Sequence, residues 1–259
     1  MKNVAIITAK GGNQTLANKN IYKILGKPSV GYSIEAAIKS KLIDEVYVST
    51  ECDSIKEVAM QYGVKIINRP INLSQPLSNH GDVIVHAVEK ILEQIPNLFS
   101  ATILLGNTVM ATAADIDKSI EALLSKDIDS CMTVWKAQDD HPFRAMTINE
   151  DGYLSSFSTQ KDIDTNRQSY PDVYFYDQGP WSVKVASLMK SKINKDGPSP
   201  WWWMGKKCFP IERLWVTGRD IHTLYDVEVA EWWLNNYLLR NKQNPSSAEH
   251  YNNGSKFDK

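Results

Sequence analysis

The sequence predicts an α/β protein in which helices cover both faces of a mostly parallel sheet. Short runs of branched apolar residues, which are typical of buried parallel strands, recur along the first half of the chain. Segments with helical periodicity separate these runs, and successive βαβ units pack as three layers with right-handed crossovers. The 259 residues, 42% of them hydrophobic, are enough for one large domain, which we expect to span residues 1–240.

The predicted elements follow one another at short intervals. Strands are predicted at 4–8, 45–49, 64–67, 101–105 and 130–135, and helices at 31–38, 53–62, 82–94, 113–124 and 226–239. The alternation stops after residue 136, where Glu150-Asp151-Gly152 is a turn signal between short strands at 144–147 and 153–157. We therefore expect a small inserted arm at about 140–175. Residues 241–259 are rich in Asn, Ser and Lys, and we expect them to be disordered.

Composition and charge restrict the function. A net charge of −1 gives no general attraction to nucleic acid, so we expect no nucleic-acid partner. No apolar run approaches the roughly 20 residues of a membrane helix, and the first residues lack the pattern of a secretory signal. Cys52, Cys131 and Cys208 are widely spaced and odd in number, which predicts neither a disulfide framework nor a zinc site. These features are typical of a cytoplasmic protein without a membrane partner.

The loop after the first predicted strand is the first candidate site, because ligands bind at the carboxyl ends of strands in such sheets. Gly11 and Gly12 allow backbone amides to approach an anion closely, and Lys10 and Lys19 place positive charge on both sides. The loop matches neither GxxxxGK[ST] nor GxGxxG, which disfavours ATPase and dinucleotide-binding functions. Taken alone, Lys-Gly-Gly is more simply a turn with solvated lysines.

The same loop, followed by Lys19-Asn20, Gly26-Lys27-Pro28 and the helix containing Tyr32 to Ala37, resembles the CMP-sugar synthetase family. This family includes the cytidylyltransferases for sialic, legionaminic and pseudaminic acids. The resemblance implies a Rossmann-like nucleotidyltransferase fold and CTP as a substrate. This sequence departs from the family pattern at Lys10, where the family has Arg, and at Asn13-Gln14-Thr15, where the family has Ser-Lys-Gly.

The resemblance extends from about Val4 to Glu231 and implies a set of binding residues. Lys19 is expected on the triphosphate as a catalytic residue, and Arg69, in Asn68-Arg69-Pro70, against the cytosine. The expected CTP-binding residues are Lys10, Gly11, Gly12, Asn20, Arg69, Ser78 and His80. The expected acceptor-binding residues are Asn107, Arg144, Arg167 and Gln178, with the two arginines paired to the carboxylate of an acidic sugar.

The segment from Arg219 to Asp226 resembles a family motif, Asp-Ile-Asp-Thr, whose first two aspartates hold magnesium. Asp220 is retained, and we expect it to be a catalytic residue and metal ligand, but His222 stands at the second position. Magnesium prefers oxygen ligands, whereas imidazole suits softer metals. We therefore expect Mg²⁺, with Mn²⁺ as the alternative, on Asp220 together with His222 or Asp226. A hydrogen-bonding role for His222 is equally consistent with the sequence.

The reaction implied by the resemblance is transfer of CMP from CTP to an acidic sugar, such as sialic or legionaminic acid, for surface glycans including lipopolysaccharide. One alternative is a different acidic acceptor, such as a phosphonate, because several acceptor-side residues are altered. Another is a degenerate homologue that binds a nucleotide without catalysis. The arm is expected to form a homodimer contact. Trp201, Trp202 and Trp203 cannot all face one core, so they line the site, a subunit contact or separate packing positions.

Overall fold

A computed structural model of the chain describes residues 1–12, 15–160 and 163–243. Its strands are β1 Lys2–Thr8, β2 Lys23–Ile24, β3 Lys27–Pro28, β4 Glu45–Thr50, β5 Lys65–Asn68, β6 Leu98–Leu105, β7 Ser130–Lys136, β8 Met146–Ile148, β9 Leu154–Ser156, β10 Tyr174–Lys184 and β11 Cys208–Glu212. Its helices are α1 Ser29–Lys39, α2 Asp53–Gln61, α3 His80–Leu92, α4 Ala113–Ser125, α5 Val185–Asn194 and α6 Leu224–Gln243. Every predicted element is present, with ends that differ from the prediction by up to four residues.

The large sheet contains seven strands of the described chain in the order β11-β7-β10-β6-β1-β4-β5. β1 pairs in parallel with β4 and β6, and β4 with β5, whereas β10 runs antiparallel between β6 and β7. The prediction of a mostly parallel sheet is therefore confirmed. The sequence did not predict β10, α5 or β11. β10 contains an irregularity between Tyr176 and Trp181, and β11 carries Pro210 at the sheet edge, where a missing N–H donor is tolerated.

Side chains of β1 alternate between two cores, one on each face of the sheet. Val4 and Ile6 belong to a cluster that includes buried residues of α3 and α5. Ala5 and Ile7 belong to a second cluster with buried residues of α1, α2 and α4. This alternation follows from the two-residue period of a strand, and it confirms the predicted three-layer arrangement.

A third apolar cluster fixes the position of α6. Val227 and Ala230 of the helix pack with Ile221, Ile24 and the buried residues that follow β6. The backbone N–H of Ile221 also donates to the carbonyl of Asn107 over 2.9 Å. The segment before α6 is thereby held against the end of the central strand. The helix continues through Gln243 and includes the first three residues of the segment predicted to be disordered, while residues 244–259 lie outside the described chain.

The arm contains the hairpin β8-β9, in which Ile148 lies opposite Leu154. Large apolar side chains on this hairpin are exposed rather than packed into the sheet's cores: Met146, Ile148, Tyr153, Leu154 and Phe157 are each at least 60% exposed. Such a concentration of exposed apolar residues is typical of an interaction surface. None of the helices in the described part of the chain has the length and apolar character of a membrane span.

Candidate active site

The candidate site lies where loops meet at the carboxyl ends of β1, β4 and β6. The N–H of Gly106, after β6, donates to the carbonyl of Thr8, the last residue of β1. The N–H of Ala9 donates to the carbonyl of Ser49 in β4. These bonds bring the glycine loop after β1 beside the loop after β6, as expected for a ligand site in a parallel sheet.

Close contacts and one positive φ angle require the two glycines of this loop. A Cβ on Gly11 would lie 3.0 Å from the Cβ of Cys52, and Gly12 has φ of +63°. Buried Asn20 supports the loop from below, because its Nδ2 donates to the carbonyl of Lys10 over 2.7 Å. Asn13 and Gln14, where the sequence departs from the family pattern, lie outside the described residues.

Glu51 accepts a hydrogen bond from the backbone amide of Gly11, which was expected to bind phosphate. The N–H of Gly11 donates to Oε1 of Glu51 over 2.7 Å, and Oγ of Ser74 donates to Oε2 over 2.8 Å. The amide is therefore directed at an anionic oxygen, as phosphate recognition requires. A phosphate that binds Gly11 has to displace or share this carboxylate.

A chain of polar contacts connects the loop after β1 with the segment before α6. Nζ of Lys19 lies 3.4 Å from Nδ1 of His222, and Nε2 of His222 lies 2.7 Å from Oδ2 of Asp220. The same carboxylate oxygen accepts a hydrogen bond of 2.9 Å from Nδ2 of Asn107. The four side chains come from three separate segments, so the fold brings together residues that the sequence placed in one site.

Electrostatics at this cluster suit an anionic ligand. Burial lowers the pKa of Lys19, which Asp220 counteracts and the nearby Lys10 reinforces. A half-buried ammonium flanked by a second lysine is poorly compensated by water and gains from a polyanion. Lys10 and Lys19 can therefore hold the phosphates of a nucleotide.

Asp226 is not a free metal ligand. Its Oδ2 accepts hydrogen bonds from the N–H groups of His222 and Thr223 over 3.1 and 2.9 Å and from the Thr223 hydroxyl over 2.9 Å. Its Oδ1 pairs with Nη2 of Arg219 over 3.1 Å. Burial opposes ionisation of Asp226, but these hydrogen bonds outweigh it and lower the pKa. The carboxylate therefore caps the start of α6, which leaves Asp220 and His222 as the metal-ligand candidates.

The residues present fit a metal ion whose coordination is completed by substrate. Among the described residues, no group of three or more His, Cys, Asp or Glu side chains is placed to hold a metal. Magnesium is commonly bound by one or two carboxylates together with substrate phosphates and water, rather than by a cage of protein ligands. Asp220, with one oxygen held by Asn107 and His222, meets that requirement.

Arg69 and His80 contact residues near the carboxyl ends of β4 and β1. Arg69 is buried and donates from Nη2 to the carbonyl of Ser49 over 2.5 Å, and burial lowers its pKa to about 10. His80 begins α3, and its Nε2 lies 3.0 Å from the hydroxyl of Thr8. Burial, with the positive charge of Arg69, lowers the pKa of His80 to about 4, so the ring is neutral near pH 7. Ser78 bonds instead to the carbonyl of Asn72.

A pocket of about 410 Å³, here called the aromatic pocket, opens beside Asp220. Its lining combines aromatic rings with charged and polar side chains: Trp135, Phe175, Tyr176, Gln178, Trp215, Gly218, Arg219, Asp220, His222 and Asp226. Trp135 stacks on Phe175 with ring centroids 4.6 Å apart, and Trp215 meets Trp135 edge-on at 6.5 Å. Rings of this kind pack well against the apolar faces of a sugar-sized ligand.

Comparison with known sequences decides the family. The sequence model described as Cytidylyltransferase matches residues 4–169, which is more than half of the chain. A pseudaminic acid cytidylyltransferase from Campylobacter jejuni subsp. jejuni serotype O:2 is 37% identical over 235 residues, covering 89% of this chain and 95% of that protein.

This chain belongs to the cytidylyltransferase family. It is a CTP-dependent nucleotidyltransferase, and the resemblance to CMP-sugar synthetases is confirmed. A CMP-N,N'-diacetyllegionaminic acid synthase from Legionella pneumophila is 32% identical over 111 residues, covering 42% of this chain and 47% of that protein. Lys19 and Asn107 lie within the range matched by the family model, whereas Asp220 and His222 lie beyond it.

Solved structures support the fold of the cytidylyltransferase. A CMP:2-keto-3-deoxy-manno-octonic acid synthetase complexed with CTP has a TM-score of 0.64 at 15% identity, covering 92% of this chain and 100% of that one. A 4-diphosphocytidyl-2C-methyl-D-erythritol synthase from Anaerococcus prevotii has a TM-score of 0.60 at 18% identity, with coverages of 90% and 96%. At such identities the likeness concerns the fold alone, and it confirms the predicted Rossmann-like nucleotidyltransferase architecture.

The two arginines of the arm are not among the residues that line the aromatic pocket. Nη1 of Arg167 and Nη1 of Arg144 both approach Oδ1 of Asp139, over 2.7 and 3.4 Å, and both side chains are about half exposed. Gln178, by contrast, lines the pocket. Of the predicted acceptor-binding residues, only Asn107 and Gln178 therefore lie at the Asp220 end of the site in the described chain.

Several residues in or beside the cytidylyltransferase site were not predicted from the sequence. Arg213 donates to Asp177, to the carbonyl of Gly179 and to the carbonyl of Met110, and its side chain is 5% exposed. Burial raises the pKa of Asp177, although Arg213 counteracts it. This ion pair ties the irregular part of β10 to the loop after β6, and no motif around Arg213 pointed to it. Trp135 could have been found, because it lies near the carboxyl end of a predicted strand.

The three consecutive tryptophans have three different environments. Trp203 is buried in the core that contains α3 and α5. Trp202 lies over Gly81, where a Cβ would come within 2.4 Å of the indole, and its Nε1 donates to Asn79 over 3.2 Å. Trp201 packs between Trp181 and Tyr176. Separate packing positions therefore explain the run, and Trp201 supports the pocket residue Tyr176.

Proposed function

We propose that this cytidylyltransferase transfers CMP from CTP to a nonulosonic acid, giving a CMP-sugar and pyrophosphate. The observation that carries the proposal is the contact chain from Lys19 through His222 to Asp220. It joins a glycine loop suited to phosphates to a pocket of sugar size. The names of the relatives, which refer to pseudaminic and legionaminic acids, support this acceptor class.

The reaction proceeds by displacement at the α-phosphorus of CTP. The anomeric oxygen of the sugar forms the new bond, the bond from the α-phosphorus to the bridging oxygen breaks, and pyrophosphate leaves with that electron pair. The hydroxyl proton is lost to a base or to solvent. Lys10, Lys19 and the Gly11 and Gly12 amides bind the phosphates and position them for this displacement, which depends on alignment and charge neutralisation.

Asp220 and His222 are the residues proposed to hold Mg²⁺ or Mn²⁺ together with the triphosphate. A bound divalent cation offsets charge on the α-phosphate and on the leaving group. Asn107 has its amide committed to Asp220 and to the carbonyl of Ile221, over 2.9 and 3.0 Å. It therefore orients the carboxylate, and its role in acceptor binding is indirect.

On the nucleotide side, Asn20 keeps the loop in shape, while Arg69 and His80 are proposed to border the cytosine. Their support is position: Arg69 donates to the carbonyl of Ser49 in β4, and His80 is bonded to Thr8, the last residue of β1. Ser78 stays a prediction from the resemblance. On the acceptor side Gln178 is proposed to contact the sugar. Arg144 and Arg167 stay predictions from the resemblance, since neither is among the residues that line the aromatic pocket.

We also propose a homodimer joined through the arm, because its exposed hairpin residues are apolar. A cytoplasmic location is supported by the three cysteines, which are all free in the structure. In this setting the product would serve surface glycan assembly, including lipopolysaccharide.

The test is release of pyrophosphate from CTP, with ATP, GTP and UTP as control nucleotides. We expect turnover with pseudaminic acid or a related nonulosonic acid, and its loss when the sugar is omitted or EDTA is added. Turnover with a phosphonate acid and not with any nonulosonic acid would assign the alternative acceptor. CTP binding by calorimetry without turnover for any acid would identify a degenerate homologue and reject the proposal.

A further inference from the structure

We propose that Arg219 binds the carboxylate of the acidic acceptor within the aromatic pocket of the same chain. The inference rests on the proposed function. It assigns to Arg219 the preference of the site for a negatively charged acceptor. Arg219 precedes Asp220 in the chain and lines the pocket beside it. A carboxylate bound there lies on the same side of the pocket as the metal-ligand candidates.

The guanidinium of Arg219 is held in a defined orientation. Its central carbon lies 5.5 Å from the centroid of the Trp215 ring, and Nη2 pairs with Asp226 over 3.1 Å. Asp226 is itself fixed by the start of α6. A planar cation fixed by an aromatic ring and an anchored carboxylate loses little freedom when it binds a second carboxylate.

Arg219 also has donor capacity that the described chain does not use. A guanidinium carries five N–H groups. One bond goes to Asp226, and Nε is buried without a hydrogen-bond partner among the described residues. Buried donors without a partner are rare in folded proteins and call for an explanation such as a ligand. The side chain is nevertheless 39% exposed, so a ligand can reach the guanidinium.

A second arginine near the pocket provides the contrast. Arg213 donates three hydrogen bonds to Asp177, Gly179 and Met110, makes an additional ion pair with Asp115, and is 5% exposed. Its guanidinium is engaged by these partners and inaccessible to a ligand, so its role is structural. Arg219 is the one arginine among the described residues that line the pocket, and it faces the carboxylate of Asp220 in addition to its partner Asp226. An acidic ligand that enters this pocket requires such a cation to offset the repulsion from Asp220.

The arm arginines are the competing assignment. Arg144 and Arg167 share the exposed carboxylate of Asp139, and neither lines the aromatic pocket. If they bind the acceptor's carboxylate, they do so outside this pocket or in a second protomer. The two assignments differ in which substitution removes the preference for a charged acceptor.

The experiment compares pseudaminic acid with its neutral carboxamide in the Arg219→Met and Arg219→Lys variants. Binding of each compound is measured by calorimetry in the presence of CMP, and kcat/KM is measured with CTP. We expect Arg219→Met to weaken binding of the acid about 30-fold, within the range for a charge-assisted hydrogen-bonded pair, and binding of the amide by less than about threefold. Arg219→Lys should recover part of the preference, because it keeps the charge and loses the fork.

Lys136→Met is the matched control, since Lys136 has the same 39% exposure and an aspartate partner, Asp172, at 2.6 Å. It should leave both affinities unchanged, and thermal melting reports whether each variant folds. An unchanged preference for the acid in Arg219→Met overturns the inference, as does an equal loss for acid and amide. Equal binding of the two compounds by the wild-type protein, or loss of the preference in Arg144→Met or Arg167→Met instead, overturns it as well. Because the calorimetry needs no turnover, absence of pyrophosphate release rejects the proposed function alone.

Discussion

The nucleotide end of the site and the arm differ in how completely their side chains find partners within one chain. Around Asp220, the carboxylate, imidazole, amide and ammonium groups contact one another over 2.7 to 3.4 Å. On the arm, Ile148 and Leu154 are each 74% exposed, and two arginines share one carboxylate. The side chains around Asp220 are therefore satisfied within one chain, whereas the arm leaves apolar side chains exposed, which a second surface is proposed to cover.

Asp220→Asn is the most severe test of the cluster around Asp220, and it has the largest expected effect. The substitution keeps the size of the side chain and its contact with Asn107, but it removes the charge that is proposed to hold the cation. We expect kcat to fall about 10³-fold, comparable to the loss of a main electrostatic group in other active sites, with little change in melting temperature. Pyrophosphate release at saturating CTP measures it. A loss of less than about tenfold would mean that the cation is anchored elsewhere.

Leu154→Glu tests the other half of the comparison, the proposal that a second protomer covers the arm. A charge in the middle of the exposed hairpin should weaken a dimer about 100-fold, because it would be buried without a partner in the interface. Analytical ultracentrifugation over a concentration series measures the dimer dissociation constant. Ile193→Glu is the control, since Ile193 is 81% exposed on α5, away from the arm. A wild-type protein that stays monomeric would contradict the proposed homodimer.

The proposed role of the His222 imidazole as a metal ligand is tested by His222→Asp. A second carboxylate supplies an oxygen ligand that magnesium prefers, so the concentration of Mg²⁺ for half-maximal activity should fall about tenfold. In the absence of nucleotide and metal, two adjacent carboxylates repel, and the melting temperature should fall. A Mg²⁺ requirement that does not change would indicate that His222 only orients Asp220.

The smallest expected effect concerns Lys19 and pH. Burial lowers the pKa of Lys19, and phosphate binding needs the protonated form. The KM for CTP should therefore rise about threefold from neutral to alkaline pH, as the ammonium is lost on passing upward through the lowered pKa. Lys19→Arg should flatten this profile, because a guanidinium stays charged. An identical pH profile in the variant would exclude Lys19 as the titrating group.

The sequence predicted the regular half of the fold and the chemically distinctive part of the site. β1, β4 and β6 are recognisable as apolar runs, and Lys19, Asn107, Asp220 and His222 stand in recognisable motifs that the fold brings together. β10 escaped prediction because Asp177 and the following Gln-Gly-Pro break its strand pattern. Arg213 and Trp215 gave no signal, since their roles depend on partners distant in the chain.

The paired indoles of Trp135 and Trp215 provide an intrinsic fluorescence signal for the pocket. Their rings meet edge-on at 6.5 Å, and both line the space in which an acceptor is expected. A ligand that displaces water from them should shift their emission to shorter wavelength, against the background of the other tryptophans among the eight. Ligand binding in the aromatic pocket can therefore be followed by the fluorescence of the unlabelled protein, independently of turnover.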